Sequence, residues 1–234
     1  NEDLSVEVPQ NLLKNMIKGM EWICMNHKKY GIRIVNISVG MPVKNIENPD
    51  EDILVKKVEE LWNAGLVVVV AAGNDGPAPH TITSRKVITV GTGTEAGGEY
   101  SGQGPVLGSC VCKPDIIAPA TNILSCDNHG KSYKKRSGTS MATPIVSGTI
   151  ALLLSNEPWL SNRDVKIRLM QNAVDCGMAK SRQGWGLLNP EGMLRLNRNL
   201  PQARETPPKR VSLPDGFVCP VSVGQKISCF LLSS

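Results

Sequence analysis

Leu66-Val67-Val68-Val69-Val70-Ala71-Ala72 is the segment that most narrows what this chain can become. It offers no polar position to either face, so it cannot be a half-exposed strand. Such a short, β-branched run belongs inside a parallel sheet covered on both sides. Parallel strands need crossover connections, usually helices, and the flanking sequence supplies them. Residues 10 to 30 place Leu13, Ile17, Met20 and Cys24 on one helical face, with Met16 and Ile23 beside them and Gly31 as a stop. Ile32-Arg33-Ile34-Val35-Asn36-Ile37-Ser38-Val39-Gly40 follows as a buried strand ending at Gly40. Residues 51 to 64 give a second amphipathic helix through Ile53, Leu54, Val58, Leu61 and Trp62, closed by Gly65.

Val87-Ile88-Thr89-Val90 is a further strand, residues 92 to 112 are Gly-rich and loop-like, and Asp115-Ile116-Ile117-Ala118-Pro119 is a short apolar segment. Ser161 and Asp164 form a capping-box pattern ahead of a helix through Val165, Ile167, Leu169, Met170 and Val174. Strands alternating with helices predict an α/β fold with a parallel sheet. From about Asn197 the chain turns Pro-rich and basic, a linker leading to a short hairpin. The expected organisation is thus a domain over 1–196 and a tail over 197–234.

The chemistry concentrates in two places. Gly138-Thr139-Ser140-Met141-Ala142-Thr143-Pro144 opens the longest uncharged helix, which continues through Ile145 to Leu154. Gly138 permits a sharp turn, and Ser140 falls where the helix begins. The first amides of a helix lack internal partners and carry partial positive charge. They can hold a serine oxygen and the anion it creates on a carbonyl. Pro144 is expected in the first turn, where it costs no hydrogen bond, and the helix is expected to be buried on all faces. A Ser/Thr-capped core helix is the plainer account of this segment alone. The second place is Ala71-Ala72-Gly73-Asn74-Asp75-Gly76-Pro77, just past the most apolar strand. An Asn there borders the crevice where parallel sheets bind ligands. Asn-Asp-Gly-Pro is also strong turn chemistry.

Composition excludes several functions. Aromatic content is 4% and the +5 charge is spread along the chain, so nucleic-acid stacking platforms are lacking. No apolar run reaches membrane-spanning length. Seven cysteines, an odd number, leave at least one unpaired within the chain, and free thiols in a reducing compartment are the simplest account. Cys110-Val111-Cys112 with Cys126 lacks a second close pair or a spaced histidine, so no metal is implied. Gly91-Thr92-Gly93 with Gly97-Gly98 misses the dinucleotide spacing, and Ser140 is not in G-x-S-x-G.

Taken in order, the segments resemble the subtilisin-like serine proteases over roughly residues 10 to 195. The resemblance rests on Val35-Asn36-Ile37-Ser38-Val39-Gly40, Val68-Val69-Val70-Ala71-Ala72-Gly73-Asn74, Lys113-Pro114-Asp115-Ile116-Ile117-Ala118-Pro119, Ser137-Gly138-Thr139-Ser140-Met141-Ala142-Thr143-Pro144 and Gly184-Trp185-Gly186-Leu187-Leu188-Asn189. Tyr30-Gly31-Ile32-Arg33 and Lys113-Pro114-Asp115 are most similar to bacterial intracellular-type members. The resemblance implies a three-layer α/β fold, a peptide or protein substrate and no cofactor. It implies that Ser140 attacks the scissile carbonyl while its backbone amide and the Asn74 side chain form the oxyanion hole. Ser38, Val39 and Gly40 would pair with substrate backbone; Ala71, Ala72, Gly73 and Thr139 would border the substrate residue before the cut.

One departure matters as much as the match. The family's catalytic Asp and His stand on upstream motifs, and the histidines here are His27, His80 and His129, none in a His-Gly-Thr-His setting. The chain is therefore expected to be the downstream part of a catalytic domain, with the Asp, the His and neighbouring strands on a segment before Asn1. That expectation carries two consequences: Ser140 lacks a base, and an apolar strand becomes an open edge. The stretch Gly76 to Lys86 is also shorter than is usual in the family, and Gln103 stands where Arg is common. A peptide-binding relative without catalysis is the competing reading.

Overall fold

The computed structural model describes residues 10–39, 52–76, 84–93, 100–106, 111–127, 132–195 and 228–232. Helix α1 (Gln10–Tyr30) leads into strand β1 (Ile32–Ile37), and α2 (Ile53–Asn63) leads into β2 (Val67–Ala71). Strands β3 (Ile88–Gly91) and β4 (Ile116–Ile117) extend the sheet. A hairpin of β5 (Ile123–Cys126) and β6 (Tyr133–Arg136) precedes α3 (Thr139–Asn156) and α4 (Asn162–Asn172). Short helices α5 (Lys180–Gln183) and α6 (Pro190–Leu194) follow, then strand β7 (Ser228–Leu232).

The sheet runs β4-β3-β2-β1-β7, and every pairing in it is parallel. The valine-rich β2 is its central strand and is sealed: Val67 to Val70 are all 0% exposed. Complete burial of each such side chain is worth about 1.5–3 kcal/mol. Helices α1 and α2 pack together and onto β1 and β2, while α3 lies along β1, β2 and β3. This is the three-layer α/β arrangement with a parallel sheet. Asp52 caps α2 by accepting from Leu54 N at 2.7 Å. The expected capping box of α4 is present, with Ser161 and Asp164 bonded reciprocally.

Two expectations for α3 fail. Pro144 is not in the first turn; it is the sixth helical residue, so it removes the N–H that would have reached the Ser140 carbonyl. The helix is not buried all round either. Pro144, Gly148 and Leu152, spaced four apart, form an exposed stripe, with Leu152 45% exposed. An uncharged sequence hides this because the stripe is small and apolar rather than polar. The β5–β6 hairpin is a further addition to the sequence reading, since its strands carry the exposed Tyr133, Lys134, Lys135 and Arg136 and bury almost nothing.

The outer side of β1 is paired with β7. Ser228 pairs with Ile32 and Leu232 with Ile37 along its length. The hairpin anticipated within 197–234 otherwise falls on residues outside those described. Cys24, Cys112, Cys126 and Cys176 are unpaired thiols, and among the described residues no three His, Cys, Asp or Glu side chains cluster as a metal site. No described helix is long and apolar enough to cross a membrane.

Beneath β3 and β4 lies a buried charge cluster. Asp115 accepts from Thr89 N at 2.8 Å and from the Lys113 ammonium, and its other oxygen meets Lys166 Nζ at 3.4 Å. Lys113 also donates to Val87 O at 2.9 Å. Burial pushes the Lys113 ammonium down to about 8, although Asp115 pulls the other way. The Gly184–Leu188 segment zips onto this region: Trp185 N donates to Asp115 O at 2.8 Å and Leu188 N to Ile117 O at 2.8 Å.

Candidate active site

Three chain segments converge at the carboxyl ends of β1 and β2 and the head of α3. Ser38 and Val39 follow β1 and are half-buried; Gly40 lies outside the described residues. Ala71 ends β2 and Ala72 continues it, both buried, with Ala72 N donating to Val90 O at 2.8 Å. Gly73, at φ 86°, turns the chain so that Asn74 emerges exposed above the sheet. This is the crevice position at strand ends where parallel sheets place ligands.

Gly138 caps α3 without a side-chain bond, at φ 145° and ψ 155°, a region that is essentially glycine's alone. A Cβ there would stand 3.3 Å from Asn74 Nδ2. The absence of a side chain therefore serves both the turn and the approach of Asn74. Thr139 then donates twice to Asn74 Oδ1, from its backbone N at 2.9 Å and from its hydroxyl at 3.1 Å. With Oδ1 committed to donors, the amide orientation is fixed and Nδ2 is the end left to donate outward. The sequence reading places Thr139 at the substrate border; its visible work is to hold Asn74.

We predict that Gly138→Ala costs about 1–3 kcal/mol in stability, from backbone strain alone. The same change should displace Asn74, because the new methyl crowds its amide. Chemical denaturation measures the first effect. Amide side-chain NMR of Asn74 measures the second, and an unshifted resonance would remove the crowding argument.

Ser140 is half-buried in the first turn of α3, and its Oγ donates to the Ser38 carbonyl at 2.7 Å. Sequence reasoning missed this contact. It also missed the link beneath it. Ser147 Oγ donates to Asn36 Oδ1 at 2.8 Å, and Asn36 Nδ2 donates to Ser38 Oγ at 2.7 Å. The signal was present: Asn36 is 0% exposed within an apolar strand, and a buried amide demands partners. That relay ties the Ser38 segment to the helix carrying Ser140. His27 lies in the last turn of α1, where Nδ1 contacts the Cys24 carbonyl at 2.9 Å. His80 and His129 lie outside the described residues.

A serine and an amide side chain brought together over adjacent parallel strands, with helices on both faces, define a three-layer α/β protein with a serine-centred site. The chain belongs to the subtilase family, whose pattern matches residues 5–186. It is 37% identical to serine protease AprX of Bacillus subtilis, over 70% of this chain and 43% of that protein. It is 32% identical to subtilisin from Bacillus pumilus, over 74% of this chain and 59% of that protein. Among solved structures, the prenylagaramide maturation protease PagA superposes with a TM-score of 0.64 at 28% identity, over 83% of this chain and 70% of that one. The patellamide maturation protease PatA gives 0.59 at 29% identity, over 76% and 66%. The chain thus spans less than half the length of AprX.

Proposed function

We propose that this chain is the serine-bearing part of a serine endopeptidase. Ser140 Oγ attacks the peptide carbonyl, and the Ser140 N–H with Asn74 Nδ2 receives the developing oxyanion. The observation that carries the reading is the pair of hydrogen bonds that Thr139 donates, from its backbone N–H and its hydroxyl, to Asn74 Oδ1. A turn asparagine has no need of such fixing, whereas an oxyanion donor must be aimed in advance. Ser38 and Val39, with Gly40, offer backbone to an extended substrate, and Ala71, Ala72 and Gly73 border the residue before the cut. The base and its orienting carboxylate come from a segment outside this sequence.

A second reading has a specific observation behind it. The Ser140 hydroxyl donates its hydrogen bond to a backbone carbonyl, a group that cannot act as a base. A hydroxyl so held is a poor nucleophile, which suits a peptide-binding protein without catalysis. Both readings predict negligible hydrolysis by the chain alone, and they part when a base-bearing segment is added. Turnover of a broad peptide library is the measurement. Restored cleavage that vanishes in Ser140→Ala supports the endopeptidase. Peptide binding with no restored cleavage supports the non-catalytic relative. Cleavage by the unaided chain above its Ser140→Ala control would defeat the claim that the base lies elsewhere.

A further inference from the structure

β1 is the strand from which the site's Ser38 carbonyl emerges, and its outer neighbour comes from the far end of the chain. Ser228–Leu232 runs parallel to it, with a slip in register between Ile32 and Ile34. A parallel neighbour requires a crossover of a dozen or more residues, and the stretch 196–227 is ample for that. Among the described elements, β1 is the one against which β7 packs extensively, whereas β1 itself is held by β2, α1 and α3 as well. A terminal strand held through a single neighbour opens at lower free energy than the sheet it joins. β1 cannot stay bare when it leaves. Ile34, Val35 and Asn36 are 0% exposed, and unpaired backbone groups in such a place are costly.

We propose that the outer edge of β1 is a strand-acceptor site, and that the C-terminal segment is its removable cover. The site takes an extended, uncharged, apolar segment in parallel register. Whichever segment fills it presents its carboxyl-end residues beside Ser38 and Ser140. The present occupant is followed by Ser233 and Ser234, neither of which can act as a base. This last consequence rests on reading Ser140 as a nucleophile; the acceptor site itself does not.

Amide hydrogen exchange tests the proposal in three proteins: the full chain, its Phe230→Pro form and a chain ending at residue 223. The probe is a synthetic peptide of residues 224–234. The amides of 32–37 are expected to exchange at least about tenfold faster in both altered proteins, as expected for a local opening, while those of 88–91 keep their rates. Adding the peptide to the shortened chain should restore protection, and the peptide carrying Phe230→Pro should not. Unchanged exchange at 32–37 would show that the tail is no cover. Loss of protection at 88–91 as well would make β7 an integral strand rather than a removable one. Failure of the peptide to restore protection would remove the acceptor site. These readouts are backbone protection alone, so they stand or fall independently of the catalytic reading.

Discussion

Asn74→Ala is expected to lower kcat by roughly two to three orders of magnitude in a form of the chain joined to a base-bearing segment. That magnitude is the one known for subtilisin, the reference case for such a donor. KM should move little, because the oxyanion exists only in the transition state. Ser140→Ala sets the floor, on the order of a millionfold down, again by the subtilisin measure. Thr139→Val provides the finer test. It keeps the backbone donor to Asn74 Oδ1 and deletes the hydroxyl donor. Losing one hydrogen bond of ordinary strength corresponds to roughly tenfold or less. The fall should again appear in kcat. An Asn74→Ala protein with unchanged kcat would take Asn74 out of the oxyanion role.

Asp115→Ala is expected to be the most damaging single change to stability away from the site, at about 3–5 kcal/mol. It removes the acceptor for Thr89 N and strands the buried ammonium of Lys113, with Lys166 close by. Chemical denaturation measures it, and a cost below about 1 kcal/mol, the surface-pair range, would refute the burial argument. The same cluster gives a pH signature. Lys113 falls from its ordinary 10.5 to about 8 because of burial. Between those values the unfolded chain binds more protons than the folded one, so stability rises with pH. Below pH 8 the ammonium is charged in both states and the slope disappears. Wild type should therefore gain stability relative to Lys113→Met between pH 8 and 10.5. A flat difference across that window would show that Lys113 titrates normally.

Much of this architecture is legible in the sequence because burial leaves a periodic trace. The stripe of Leu13, Met20 and Cys24 predicts α1, the valine run predicts β2, and Ser161 with Asp164 predicts the start of α4. Ser140 and Asn74 are legible through their neighbours, Gly138 and Gly73, whose turns bring each group to the crevice. Four things are not. Pro144 looks like a helix starter, because sequence marks a proline but not how many turns precede it. The β5–β6 hairpin buries too little to impose a period on its residues. The pairing of β7 with β1 joins segments nearly the whole chain apart, and no local pattern encodes a partner at that separation. The Thr139–Asn74 bond is hidden for the same reason, since it depends on two turns meeting in space.

Four consecutive valines make β2 a strand without landmarks. Slide a neighbour along it by one residue, and every apolar contact it loses is replaced by another of the same kind. Hydrophobic energy alone would leave several misalignments of the sheet nearly isoenergetic with the native one. Asn36 breaks that degeneracy. It sits opposite Val69 and finds Ser147 on α3. A one-residue slide would turn its amide toward the opposite layer and bury it without that partner, at about 1–3 kcal/mol. One buried amide in that strand thus acts as a proofreading mark for assembly, penalising each wrong alignment rather than rewarding the right one. Because Ser38 follows two residues later, the mark that selects among misfolded sheets also sets where the serine's carbonyl partner comes to rest.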